Sequence, residues 1–425
     1  MKKALIITYY WPPAGGSGVQ RWLKFVKYFR DFDVEPIIYT VKNPNYPIID
    51  ESLVNDIPKG IEVLKQPIWE PNNILSLFGK KKTESAGFLN SKPTFFGKIL
   101  QYVRANYFIP DARKYWVKPS VKFLREYISK NKIDVVITTG PPHSMHLIGL
   151  ELKKTLNVKW ISDFRDPWTE IDYFHQLPLT KKSIKKHHSL EQEVLKKADS
   201  VLVVGNTMKL NYNKFSNVVK TITNGFDGEI VLTKTELDEK FTLTHIGLMN
   251  ADRNSKILWG AISELISENN NFKKDFILKL IGKVDATVTE SISKYKLQNN
   301  VELINYVTHN EVVNFQKKSQ VLLMLVNNVP SAKGIITGKI FEYLMAKRPI
   351  LAIAPTKGDL AEIIKQTNSG SVVDFSDKDA LKNAILDLYL RFKKGNLLIN
   401  SINIEQYHRR ELTKQVAKII HRIAE

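Results

Sequence analysis

Apolar positions follow two rhythms along this chain of 425 residues. Short, nearly unbroken apolar runs at Ala4–Thr8, Val34–Thr40, Ile61–Leu64, Asp134–Thr138, Val158–Ser162 and Ser200–Val204 are bounded by turn formers. They read as strands buried on both faces. Between runs the period changes. Val19, Trp22, Leu23, Phe25, Val26 and Phe29 recur at helical spacing, as do apolar positions within Tyr115–Lys130, Met145–Thr155 and Lys181–Lys197. Turn signals cluster at Thr223-Asn224-Gly225-Phe226-Asp227, and the alternation then restarts with strands expected at Phe241–Ile246, Phe276–Ile281, Val301–Ile304, Val321–Val326, Pro349–Ile353 and Ser371–Val373. Alternating strands and helices predict an α/β protein with parallel sheets, in two domains joined near Asn224. Loops at the carboxyl ends of the strands are then expected to meet a ligand in a cleft between the domains. No internal repeat is visible in the sequence.

Length agrees with two domains of about 200 residues each. The chain has no cysteine, which excludes disulfides and thiolate metal sites. No apolar run approaches the ~20 residues of a membrane span. The start, Met1-Lys2-Lys3, is followed by Pro12-Pro13 with no small-residue cleavage site, unlike a signal peptide. A cytoplasmic protein is expected. The formal charge of +20 leaves nucleic acid, anionic lipid and phosphorylated substrate open. Part of it is local, because residues 80–130 hold nine lysines and three arginines against Glu84, Asp111 and Glu126. Phe88, Phe95, Phe96, Ile99, Tyr102, Tyr107, Phe108, Tyr115 and Trp116 are interleaved there. Such a segment suits an anionic membrane surface or a solvated helix face. No nucleic-acid module accompanies it, so nucleic acid is not expected as a partner.

Chemistry is expected in the loops. In "YYWPPAGGSGVQRW" Pro12 and Pro13 end the first strand, while Gly15, Gly16 and Gly18 permit close approach at a helix N-terminus. A dinucleotide fingerprint fails, because Arg21 stands where its third glycine belongs and the second strand ends in Tyr39-Thr40 rather than an acid. "TTGPPHSMH" offers His143 as a general base or a capping histidine. "SDFRDPW" offers Asp163 and Asp166, either to orient a substrate or base or to pair internally with Arg165. "HIGLMNADRNSK" places Gly247, Arg253 and Lys256 past a strand end. In "KGIITGKIFEYLMAKRPILAIAP", Gly334 and Gly338 precede a short helix with Lys339 and Glu342 on one face. Its N-terminus, with Arg253 and Lys339, would clamp a diphosphate, and Glu342 would accept from a ribose diol. The plainer alternative is a surface ion pair between Lys339 and Glu342. Asp31/Asp33 and Asp377/Asp379 have D-x-D spacing but read as helix-end acids rather than metal ligands.

Taken in order, the glycine loop, "DFRDPW", "TNGFD" and "GKIFEYLMAKRPILAI" resemble the GT-B glycosyltransferases, specifically glycosyltransferase family 4. The resemblance implies two Rossmann-like domains facing across a deep cleft. Residues 1–225 would bind the acceptor, 226–400 the nucleotide-diphosphate sugar, and 401–425 would form a helix crossing back to the first domain. It implies Glu342 as ribose ligand, Arg253 with Lys256 or Lys339 on the diphosphate, and Gly15, Gly16, Gly18, Gly247 and Gly338 as close-approach positions around the donor. His143, Asp163, Arg253 and Lys339 are the implied catalytic set, with retention at the anomeric carbon, no carboxylate nucleophile, no cofactor and no metal. Two departures stand out: the family's acid eight positions before Glu342 is Gly334 here, and Gly140 falls where its histidine is usual, three residues before His143. A glycan or lipid-linked acceptor in surface polysaccharide synthesis, met at the inner face of a membrane, is the expected partner. A GT-B sugar-nucleotide epimerase and an inactive nucleotide-sugar-binding subunit share the architecture.

Overall fold

A computed structural model describes residues 1–70, 95–228, 236–305 and 307–425. The described chain forms two compact units, Met1–Asp227 with Tyr407–Glu425, and Gly228–Gln406.

Unit 1 is built on seven strands: β1 (Lys2–Ile7), β2 (Val34–Val41), β3 (Glu62–Gln66), β4 (Val135–Gly140), β5 (Trp160–Phe164), β6 (Ser200–Val203) and β7 (Val219–Thr221). They lie in the order β3-β2-β1-β4-β5-β6-β7, all neighbours parallel. Its helices are α1 (Ser17–Phe29), α2 (Phe95–Tyr107), α3 (Val117–Lys130), α4 (Ser144–Leu156), α5 (Lys181–Lys197) and α6 (Asn206–Tyr212). The central strands are buried on both faces. Leu5 and Ile7 of β1 join one core with Val136, Met145, Ile148 and Trp160, while Ala4 and Ile6 join the other with Trp22, Leu23 and Ile137. This two-residue alternation between cores is why an unbroken apolar run is needed there.

Unit 2 repeats the plan with β8 (Phe241–Ile246), β9 (Phe276–Ile281), β10 (Val301–Ile304), β11 (Val321–Leu325), β12 (Ile350–Ile353) and β13 (Gly370–Val373), ordered β10-β9-β8-β11-β12-β13 and parallel throughout. Its helices are α7 (Lys256–Glu268), α8 (Asn270–Asp275), α9 (Ala286–Lys294), α10 (His309–Lys318), α11 (Lys339–Ala346), α12 (Asp359–Gln366) and α13 (Lys378–Lys393). Each sheet therefore reverses its winding once, between β1 and β4 and between β8 and β11, which opens a crevice at the carboxyl ends of those strands. The two units share this winding although the sequence shows no repeat.

A final helix, α14 (Arg409–Ala424), belongs to unit 1. Leu412, Val416, Ala417 and Ile420 enter the core formed by Val19, Trp22, Leu23 and Val26 of α1. Strand β7 was not legible in the sequence, because Val219–Thr221 is short and only Val219 is buried. Of the D-x-D pairs, Asp377 caps α13 by accepting from the Ala380 amide at 2.9 Å, and Asp31 pairs with Arg410 at 2.9 Å. Of the basic aromatic segment, residues 80–94 lie outside the described residues.

Candidate active site

In unit 2 the crevice is lined by three segments. The first is the loop after β8. Gly247 has φ +119°, a left-handed conformation that favours glycine. It turns the chain so that its amide donates to Ile281 O at 2.6 Å. Arg253 follows in a short turn, where Nε donates to Asn327 Oδ1 at 2.8 Å and Nη1 donates to Leu248 O at 2.7 Å. Asn327 lies just past β11, so the guanidinium is fixed across the winding reversal. The third segment is the start of α11. Its N-terminus has no side-chain cap, and Gly338 stands exposed before it. Tyr343 pins the helix to the sheet, accepting from the Ile246 amide at 3.2 Å and donating to Leu323 O at 3.5 Å.

Lys339 lies in this corner. Its Nζ comes so close to Gly247 that a Cβ there would stand 2.0 Å away. Burial, and then the positive charge of Arg253, push its pKa down to about 8, with Glu342 opposing. Beneath it the ring of His245 is fully buried and held neutral, its pKa pushed down to about 3 by burial and by Lys339. Glu342, one turn along α11, accepts from Gln316 Nε2 at 3.0 Å rather than forming an ion pair with Lys339. Two cations crowded at an uncapped helix N-terminus, with a half-buried carboxylate one turn away, suit a dianion that carries hydroxyls. Lys256 is exposed at the first position of α7; Lys339 is the lysine coupled to Arg253. Asn327 and Gln316, which hold the arginine and the glutamate, gave no signal in the sequence, being 74 and 26 residues from their partners.

In unit 1 the glycine loop, "TTGPPHSMH" and "SDFRDPW" meet through Arg165, which donates to Gly18 O and Pro141 O. The close approach that Gly15 and Gly18 permit is made by the chain itself. A Cβ on Gly15 would meet Ile48 Cγ2 at 2.7 Å, and one on Gly18 would meet Arg165 Nη1 at 3.1 Å. Gly16, at φ +85°, is the residue before α1. Asp163 corrects the expectation of a catalytic or Arg165-paired acid. It is fully buried and accepts from Arg21 Nη2 at 2.8 Å, Trp22 Nε1 at 2.7 Å and Thr139 Oγ1 at 2.8 Å. Arg21 also donates to Ile222 O and Thr223 O, so this pair fixes α1 to the end of the sheet.

His143, expected as a general base or a capping histidine, is the residue before α4 and makes no capping hydrogen bond. Its ring stacks on Trp168 with centroids 4.9 Å apart, and burial holds its pKa well below the ordinary value. His146, whose pKa burial pushes down to about 3, accompanies it, with Nδ1 3.0 Å from Thr138 Oγ1. The sequence also missed a polar knot after β1 and β3. Tyr9 OH donates to Glu70 at 3.0 Å, and Arg113 bridges Glu70 at 3.0 Å while lying over the Tyr9 ring. Next to it, Asp111 accepts from the Ser144 amide at 2.9 Å and caps the entry to α4.

Residues 240–391, nearly all of unit 2, match the family described as Glycosyl transferases group 1. Among solved structures, the whole chain is similar in fold to a sucrose-phosphate synthase from Thermosynechococcus elongatus, at 14% identity and a TM-score of 0.57, covering 100% of this chain and 96% of that one. It is similar also to a variant of S. aureus TarM solved with UDP, at 13% identity and TM-score 0.56, covering 100% and 99%. A third likeness is to a protein assigned as a UDP-N-acetylglucosamine 2-epimerase from Listeria monocytogenes, at 12% and TM-score 0.57, covering 99% and 96%. Among curated proteins none matches. No helix among the described residues is long and apolar enough to cross a membrane.

Proposed function

We propose that this chain is a GT-B glycosyltransferase, with its group 1 domain in unit 2, and that it moves a sugar from a nucleoside diphosphate to a glycan or lipid-linked acceptor, with retention at the anomeric carbon. The observation that carries this reading is the corner at α11, where Arg253 and a lysine with its pKa lowered to about 8 share an uncapped helix end. As the nucleoside diphosphate leaves, negative charge grows on its phosphates. Arg253, Lys339 and the positive end of the α11 dipole stabilise that charge more than the ground state. Glu342 receives the ribose hydroxyls, and Gln316 keeps its carboxylate oriented. The UDP in the TarM structure supports a nucleotide ligand by analogy of fold. Unit 1 supplies the acceptor side, with Arg165 holding its three loops in register. Gly334, in place of an acid, leaves part of the sugar recognition to backbone groups.

The test is a panel of UDP-, GDP-, ADP- and dTDP-sugars, read as release of nucleoside diphosphate with and without membrane-derived lipid-linked glycans. Acceptor-dependent release, with the anomeric configuration kept by NMR and insensitive to EDTA, is expected. The epimerase fold likeness sets the competing outcome, in which sugar isomerises or is released equally fast without any acceptor.

A further inference from the structure

The motif "SDFRDPW" holds two acids, and the fold gives them opposite fates. Asp163 is consumed in the interior by Arg21, Trp22 and Thr139. Asp166 stands two residues past the end of β5, at the carboxyl end of the sheet of unit 1, and is exposed. Its backbone is held on both sides. The Arg165 amide donates to Gly140 O at 2.9 Å, and the Trp168 amide donates to Tyr212 OH at 3.2 Å. Trp168 is itself locked, stacked on His143 and donating from Nε1 to His187 Nδ1 at 3.0 Å. Arg165 spends both terminal nitrogens on the carbonyls of Gly18 and Pro141. Asp166 is left with no hydrogen-bond or ion-pair partner among the described residues.

Asp166 is open to solvent, yet protein crowds it enough that loss of water raises its pKa, with Arg165 opposing and Asp172 adding to the rise. Together these describe a carboxylate in a concavity, where a donor arriving from outside forms a stronger bond than on open surface. Tyr173 lies beside it. Its side chain is 44% exposed, while burial of the hydroxyl, then the charges of Asp166 and Asp172 with Arg104 opposing, push its pKa up to about 12. The phenol therefore stays protonated and able to donate, and the ring offers an apolar face. A fixed carboxylate beside an open aromatic ring is the chemistry that recognises a sugar. Hydroxyls donate to the carboxylate and C–H groups pack on the ring. We propose that Asp166 and Tyr173 bind the terminal sugar of the acceptor through uncharged hydroxyls, which makes Asp166 a specificity-determining residue. A phosphate or carboxylate against Asp166 would meet like charge, so the acceptor end is a neutral sugar. The plainer role for Asp166, balancing the charge of Arg165, predicts lost stability rather than lost recognition. The proposal rests on the transferase reading for its purpose. It is tested without turnover, so the two fail separately.

The full chain, without donor, is titrated by saturation-transfer NMR with the nitrophenyl glycosides of glucose, galactose, mannose and N-acetylglucosamine, and with the glucuronide. At least one neutral glycoside should bind about tenfold or more tightly than the glucuronide. Asp166→Asn should weaken the neutral sugar about tenfold and narrow its lead over the glucuronide. Tyr173→Ala should weaken it about as much, and Tyr173→Phe, which keeps the ring, should weaken it less. The melting temperature of Asp166→Asn should not fall, because the substitution removes a dewatered charge. Nucleoside diphosphate affinity, a property of unit 2, should be unchanged in all three variants. Binding of no neutral glycoside, a glucuronide bound as tightly as any of them, or full sugar affinity in Asp166→Asn would each overturn the proposal. So would a lowered melting temperature in Asp166→Asn, which assigns it to Arg165. A variant that loses affinity for nucleotide sugars but not for nucleoside diphosphates would place the donor's sugar there instead, and overturn it too.

Discussion

Lys339 should make donor binding fade in mildly alkaline solution. Its amine titrates near pH 8, whereas an ordinary lysine titrates near 10.4. At pH 7 about nine-tenths of the unliganded protein carries the charge, and at pH 9 about one-tenth does. A bound diphosphate requires the charged form, so affinity should fall about tenfold across that range, equal to ~1.4 kcal/mol. A normal lysine would lose less than about a twentieth of its charge by pH 9. The assay is calorimetric titration of the tightest-binding nucleoside diphosphate from pH 7 to 9, with wild type and Lys339→Met. Because ligand groups also titrate, the quantity to read is the ratio of the two affinities. At pH 7 it should be roughly 10–100, the worth of a charge-assisted contact, and it should shrink about tenfold by pH 9. The fold itself responds with the opposite sign. Between about pH 8 and 10.4 the unfolded chain binds more protons than the native one, so rising pH favours the unliganded fold. Lost binding therefore cannot be mistaken for unfolding. A ratio that stays constant from pH 7 to 9 refutes the argument.

Gly247→Ala should weaken the nucleoside diphosphate at least about tenfold, because its Cβ would displace the lysine amine and its φ of +119° becomes strained; affinity and melting temperature together check this. Glu342→Gln and Glu342→Ala should lower nucleotide affinity in that order, by roughly ten- to a hundredfold for Ala, and a 2′,3′-dideoxy nucleotide should distinguish them little. Asp163→Asn leaves Arg21 buried without its charge partner and should cost about 3–5 kcal/mol in urea unfolding, with donor affinity intact if the variant folds. The buried rings of His146 and His187, with pKa values pushed down to about 3 and 4, stay neutral while the unfolded chain takes up protons below about pH 6.5. Stability should therefore fall as pH drops from 7 to 5, by roughly 2 kcal/mol per histidine, and His187→Gln should flatten that slope in thermal melts.

The strands that carry the cores were legible because burial on both faces demands uninterrupted apolar runs, and Phe241–Ile246 and Phe276–Ile281 fall where the pattern put them. The corner of Gly247, Arg253, Lys339 and Glu342 was legible because helix ends and strand ends carry local signals. Distant pairings left no such trace. Arg21 reads as a surface residue of an amphipathic helix, yet it meets Asp163, 142 residues away, inside the core. "SDFRDPW" contains an arginine between two acids, and local charge suggested they pair. Folding instead sends Arg165, just past the end of β5, to backbone carbonyls and Asp163 to Arg21 in the interior.

The return of α14 to unit 1 sets an order of events during synthesis. Unit 2 is one continuous stretch, complete once Gln406 is made. Unit 1 begins first but waits for residues 407–425, so Val19, Leu23 and Val26 lack their apolar cover while the whole of unit 2 is being translated. The nascent chain thus carries a sticky strip on α1 for the time needed to make about 180 residues, on the order of ten to forty seconds. In a cell, that interval is when a chaperone that recognises apolar helix faces would find this protein.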